Sequence, residues 1–245
     1  MGREIMNTAI PESLKNDIQN VVSDLKNKLG GDLKSIVLYG GLVKNELVKD
    51  TDRVSLMLVV SASGLNVLDN IADVVIGKRA HQIQVTILTP AELQSSTDVF
   101  PIKFLDMKQD YEVLAGEDFV KGLEISRDNL RLRCEQEIKN LMLKFRRMYI
   151  YSRDNPEALK GILLRGYYSF LQSGDALAEL KTGKTYRKEA EIVEAIGYIG
   201  LDAELLKSIA KLRSGGALEN NEAVRNSAEK FMRMIEKASQ MADEM

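Results

Sequence analysis

Cysteine and histidine are almost absent from this chain: its 245 residues include one cysteine, Cys134, and one histidine, His81. A single cysteine excludes an intramolecular disulfide framework, and with one histidine no Cys/His cluster can hold zinc. Such sparing use of thiols fits a reducing compartment, and the cytoplasm is the expected location. An excess of charge of one sign is lacking too. The 34 basic and 36 acidic residues leave a formal charge of -2, so there is no global electrostatic pull toward nucleic acid or an anionic membrane. No run of about 18 apolar residues is present that could span a bilayer. The opening "MGREIMNTAIPESLKND" also lacks the apolar core of a signal peptide.

What is present divides into two halves. The chain exceeds the common domain size of about 100 to 150 residues, and its composition predicts an α/β domain over 1–120 and a helical-bundle domain over 121–245. From Glu12 to Leu29, the residues Leu14, Ile18, Val22, Leu25 and Leu29 recur at helical spacing between Pro11 and Gly30-Gly31. "SIVLY", Ser35 to Tyr39, and "VSLMLVV", Val54 to Val60, are short, apolar and rich in β-formers, and they read as buried strands. Leu65, Leu68, Ile71, Ala72 and Val75 outline a second helix. A third strand, "QIQVTILTP", alternates from Gln82 and ends at Pro90. After the segment from Ser96 to Phe119 the pattern becomes purely helical. Leu130, Cys134, Ile138, Leu141, Phe145 and Met148 form one stripe, and helices around Leu159 to Phe170, Ile192 to Ile196, Leu205 to Ile209 and Val224 to Ala242 follow. The turn-like breaks "SRDNP", "KTGKT" and "RSGGALENN" favour antiparallel neighbours in a bundle.

The stretch "LYGGLVKNELVKDTDRVSLMLVV", Leu38 to Val60, runs from a strand through a glycine pair into a second strand. In this order of elements the first half resembles the nucleotidyltransferase fold of aminoglycoside adenylyltransferases and polymerase β-like enzymes. "VLAGED", with Leu114, Gly116, Glu117 and Asp118, is similar to the turn that follows the nucleotidyltransferase module in that family, and the helical half is similar to its partner bundles. The resemblance implies an α+β protein: a nucleotidyltransferase-like mixed sheet with helices, then an all-α antiparallel bundle. Family members carry Gly-Ser after the first strand, an acid-apolar-acid triplet opening the second, and a third acid on a later strand. Those carboxylates hold two divalent cations, since hard Mg²⁺ takes clustered oxygen ligands.

Gly40-Gly41 stands where the resemblance calls for Gly-Ser, so backbone N–H groups able to cradle phosphate are kept while the serine hydroxyl is lost. With Lys44, these glycines are the expected nucleotide-binding residues. Aligning "LMLVV" with the family's apolar run places Arg53, Val54 and Ser55 on acid-apolar-acid. Both metal positions are then degenerate, Arg53 brings positive charge where a cation should sit, and "HQIQVTIL" supplies no third carboxylate. In this register no metal or cofactor is expected, and no catalytic residue is assigned. A second register remains open, because Asp50-Thr51-Asp52 is a literal acid-x-acid triplet. With it, Asp50 and Asp52 would hold Mg²⁺, and the protein would transfer a nucleoside monophosphate to a hydroxyl acceptor. Against it, Arg53 would follow the triplet where the family has a buried aliphatic, and a one-residue slip reverses the faces of a strand.

The resemblance thus implies a nucleotidyltransferase-like protein, degenerate in its metal site, that keeps the fold for nucleotide binding, regulation or assembly. In a metal-independent variant of this reading, Arg53 or Lys44 replaces the charge of the cation. The expected partners are a nucleotide and a protein, including a second copy docked through the last helix; neither a membrane nor nucleic acid is expected. Other signals have plainer explanations. "GKT" at Gly183 to Thr185 lacks the first glycine of a phosphate loop, since Ala178 stands there. Lys144, Arg146, Arg147 and Arg153 read as a solvated basic face, and Tyr149, Tyr151, Tyr167 and Tyr168 as core or boundary packing. His81 has no identifiable partner for general-base chemistry, and Gly166 within an apolar helix marks close packing.

Overall fold

Two apolar strands pair with each other and carry a third and a fourth on either side. The computed structural model describes residues 11–43, 54–76, 83–214 and 221–245. In it β1 (Leu33–Tyr39) runs antiparallel to β2 (Val54–Val60), with Leu33 opposite Val60 and Tyr39 opposite Ser55. Strand β3 (Ile83–Leu88) lies parallel to β2, and β4 (Tyr111–Gly116) antiparallel to β1, giving a mixed sheet in the order β3-β2-β1-β4.

Both faces of the sheet are covered, which is why β2 reads as a continuous apolar run rather than an alternating one. One face packs on α1 (Glu12–Leu29) and α2 (Leu65–Val75): Ile36, Leu38, Leu56 and Leu58 share a core with Leu14, Ile18, Val21, Leu25, Ile71 and Val74. The α1 stripe passes through Val21, leaving Val22 only partly buried. On the other face Val37, Met57 and Val59 meet Leu93 of α3 (Pro90–Val99), and Phe104 and Met107 of α4 (Pro101–Gln109). Pro90, expected to close a strand region, is the first residue of α3. Thr89 caps that helix by accepting from the Glu92 N–H at 3.2 Å, while the Glu92 carboxylate accepts from the Thr89 N–H at 2.7 Å, a reciprocal capping box.

The "VLAGED" turn is held by contacts that only glycine permits. Gly116 has φ +80°, and a Cβ built on it would lie 1.9 Å from the carbonyl oxygen of Lys34. Around it the fully buried Ser35 hydroxyl donates to the Glu117 carbonyl at 2.7 Å and to the Ala115 carbonyl at 3.3 Å. Asp118 then accepts from the N–H groups of Val120 and Lys121 and from the Tyr111 hydroxyl, so both of its carboxylate oxygens are engaged. Val120 and Leu123 return to the core beside Val37, and the first compact unit closes at Ile125.

The second unit, Ser126–Met245, is built on three long helices: α5 (Arg127–Ser152), α6 (Pro156–Thr182) and α9 (Asn221–Asp243). Between α6 and α9 come α7 (Glu189–Tyr198) and α8 (Ala203–Lys211). Arg127 bonds to Glu179 and Leu180 while Cys134 donates to the Ser173 carbonyl, so α5 and α6 run antiparallel. Phe231 of α9 makes edge-to-face contacts with Phe145 and Phe170 at 5.1 and 6.1 Å between ring centroids, a favoured aromatic geometry. Gly166 lies against that cluster, since a Cβ there would be 2.6 Å from Phe231 Cε1. Gly183 of "GKT" ends α6, its N–H donating to the Glu179 carbonyl at 2.7 Å. Among the described residues no helix is long and apolar enough to cross a membrane.

Candidate functional site

Strand β1 stops at a turn whose geometry fixes the first glycine and leaves the second open. Gly40 has φ +83°, and its carbonyl accepts from the Val43 N–H at 3.0 Å. Leu42 is buried in the α1-side core and anchors the turn. A Cβ at Gly40 would meet only Ser55 Oγ and Cβ at 3.7 and 3.8 Å, ordinary contacts, so backbone conformation rather than crowding demands glycine there. At Gly41 neither applies: φ is not positive and nothing lies within 4 Å of a built Cβ. The backbone at Gly41 is therefore open to close approach from outside.

Ser55 points to this turn, and the residues around it are polar and mostly uncharged. In register it lies between Tyr39 on β1 and Gln84 on β3. The β1 and β2 residues of its face, Val37, Met57 and Val59, pack toward α3 and α4, because alternate residues of a strand share a face. The Tyr39 hydroxyl and Thr86 Oγ1 are 3.0 Å apart, and the Lys103 ammonium donates to Thr86 Oγ1 at 3.1 Å. The same ammonium stands 5.8 Å from the centroid of the Tyr39 ring, at the outer edge of cation–π range. On the neighbouring strand Tyr111, the register partner of Tyr39, donates to Asp118 at 3.0 Å. Burial, then the bond and charge of Asp118, push the Tyr111 phenol up to about 12.

These side chains are poor ligands for a divalent cation. The strand residues of this face beside the turn are Tyr39, Ser55, Gln84, Thr86 and Tyr111, none of them a carboxylate. Glu112 of β4 pairs with Leu38 and so belongs to the opposite, α1-covered face, where burial raises its carboxyl. Among the described residues no group of three or more His, Cys, Asp or Glu side chains could hold a metal ion. Lys44, Asp50, Asp52, Arg53 and His81 lie outside the described residues. Gly40, Gly41 and Ser55 are brought together. Tyr39, Thr86 and Lys103 join them without having been singled out in the sequence, although Tyr39 directly precedes the glycine pair and Thr86 lies on the alternating third strand.

In the helical unit several of the candidate signals have structural partners. Arg146 pairs with Glu236 at 2.6 Å, and Arg153 with Asp154 at 3.0 Å. Tyr167 is buried and donates to Glu189 at 2.7 Å, and Arg213 bridges to the same carboxylate at 3.1 Å. Burial and the Glu189 contact raise the Tyr167 phenol. Tyr151 is exposed.

No family model matches the chain, and a search of curated proteins returned no match. Among solved structures it is similar to a spectinomycin adenyltransferase from Enterococcus faecialis, determined with ATP and spectinomycin. The identity is 15% and the TM-score 0.57, over 91% of this chain and 99% of that one. At that identity the likeness shows the fold alone, which is nucleotidyltransferase-like.

Proposed function

We propose that this nucleotidyltransferase-like protein has lost metal-dependent transfer and uses the Gly40-Gly41 turn to bind a nucleotide without a divalent cation, in regulation or assembly. The observation that carries this reading is the polar face beside the turn. Ser55, Gln84 and Thr86 occupy it with the Lys103 ammonium bound at its edge, where metal chemistry calls for clustered carboxylates. An ammonium beside neutral hydroxyls and amides repels Mg²⁺, which needs hard anionic oxygen ligands. The turn itself suits a polyphosphate: Gly41 is open, and unshielded backbone N–H groups favour anions. Under this reading Gly40, Gly41 and Lys44 meet the phosphates, and Arg53 and Ser55 stand at the former metal positions.

A second reading is supported by the Asp50-Thr51-Asp52 triplet that closely precedes β2 and by the likeness to an adenyltransferase solved with ATP. In it Asp50 and Asp52 hold Mg²⁺, a hydroxyl acceptor attacks the α-phosphate and pyrophosphate leaves. The separating experiment incubates the protein with α-labelled ATP or GTP, Mg²⁺ and a panel of hydroxyl acceptors, and measures pyrophosphate release. The proposal expects no release above background. Mg²⁺-dependent release that disappears in Asp50→Asn and Asp52→Asn would establish the second reading.

A further inference from the structure

We infer that Lys103 is the phosphate-contacting cation of this site, held in place by Tyr39 and Thr86 beside the glycine turn. The inference rests on the nucleotide-binding reading above and assigns the charge that would replace the metal to a residue of α4. Three observations support it. First, Lys103 is exposed, yet it is held by two contacts: the 3.1 Å bond to Thr86 Oγ1 and the Tyr39 ring 5.8 Å away. A solvated lysine on a helix ordinarily keeps its rotamer freedom. Second, among the described residues Lys103 takes part in no ion pair, whereas ten other lysine and arginine side chains of the α-helices do, including Lys28, Lys139 and Arg146. An ammonium has three donors; one is used on Thr86, which leaves two for an anion.

Third, the position is right for a phosphate chain. Tyr39, beside whose ring Lys103 stands, directly precedes Gly40, and Ser55 on the same sheet face approaches Gly40, so lysine and turn belong to one face of the sheet. Tyr39 also bonds to Thr86 across β2, which ties the lysine's two supports to each other. The arrangement fixes a point charge without neutralising it, which suits recognition of a polyphosphate. Lys103 contacts the ligand, and Thr86 and Tyr39 are positioning residues.

The test is calorimetric titration of the full chain in EDTA with ATP, AMP and inorganic tripolyphosphate, comparing wild type with Lys103→Met, Lys103→Arg and Thr86→Val. Loss of a charge-assisted contact should weaken ATP and tripolyphosphate about 10- to 100-fold in Lys103→Met. AMP should change less, Lys103→Arg should recover most of the affinity, and Thr86→Val should fall between. The urea midpoint of Lys103→Met should match wild type, because the side chain is exposed. If wild type binds ATP and Lys103→Met binds it equally well, the assignment of Lys103 is overturned while nucleotide binding stands. If wild type binds neither ATP nor tripolyphosphate, the nucleotide-binding reading itself fails.

Discussion

Replacing Gly116 by alanine should damage the first unit more than its single added methyl suggests. The residue has φ +80°, where an L side chain carries strain of about 1–2 kcal/mol. The added Cβ would also stand 1.9 Å from the Lys34 carbonyl oxygen and 2.9 Å from Ser35 Cα. Relief requires β1 and β4 to separate at this point. That breaks the bond from the Glu117 N–H to the Lys34 carbonyl at 3.1 Å and loosens the two bonds of the buried Ser35 hydroxyl. At about 1 kcal/mol for the Glu117 bond and about 1 kcal/mol for the one proton that Ser35 shares between its two acceptors, the total is roughly 3–4 kcal/mol, a large part of a domain's stability of about 5–15 kcal/mol. Amide hydrogen exchange across β1 and β4 in a urea series reads this locally, without assuming that the two units unfold together. Gly31→Ala, where a built Cβ meets nothing within 4 Å, is the control and should change little. A Gly116→Ala protein that keeps wild-type protection in β1 and β4 would refute the argument.

Gly166→Ala should cost about 1–3 kcal/mol by overpacking, since its Cβ would meet Phe231 Cε1 at 2.6 Å and Phe145 Cδ2 at 3.3 Å; thermal unfolding of the variant checks it. Tyr111, pushed from 10.0 up to about 12, stays neutral in the fold at pH values where the unfolded chain ionises it. Its contribution is therefore complete below pH 10 and lost as pH rises through about 12. Stability compared with Tyr111→Phe should converge across that window, and tyrosinate absorbance should show one phenol fewer titrating in it. The Cys134 thiol is buried and pushed up to about 12 by desolvation first and the Glu135 charge second. It should resist a thiol reagent at pH 8 until the helical unit opens, so labelling should follow urea unfolding; rapid labelling of native protein would contradict its place between α5 and α6.

Much of this fold was legible because its helices carry one-sided apolar stripes. Leu14, Ile18, Leu25 and Leu29, or Cys134, Ile138, Leu141 and Phe145, repeat at the period that burial imposes, and the structure buries them. The short helices α3 and α4 were harder to read. Leu93 and Thr97 are the buried residues of α3, too few to make a stripe, and Pro90 reads as a stop when it is in fact a helix start. The signal was present in Thr89-Pro90-Ala91-Glu92, whose threonine and glutamate form the capping box. At the candidate site, the sequence pointed to the glycine turn and to Ser55 because both lie on the strands that flank one loop. It could not point to Lys103, whose place beside Tyr39 and Thr86 depends on three elements meeting on one sheet face. No local pattern encodes such a meeting.

Nucleotide binding without metal is decided by titrating ATP into the protein in EDTA and again with excess Mg²⁺. Saturable one-to-one binding in EDTA, left at the same order of magnitude by Mg²⁺, is the expected result. Binding seen only when Mg²⁺ is present would contradict it.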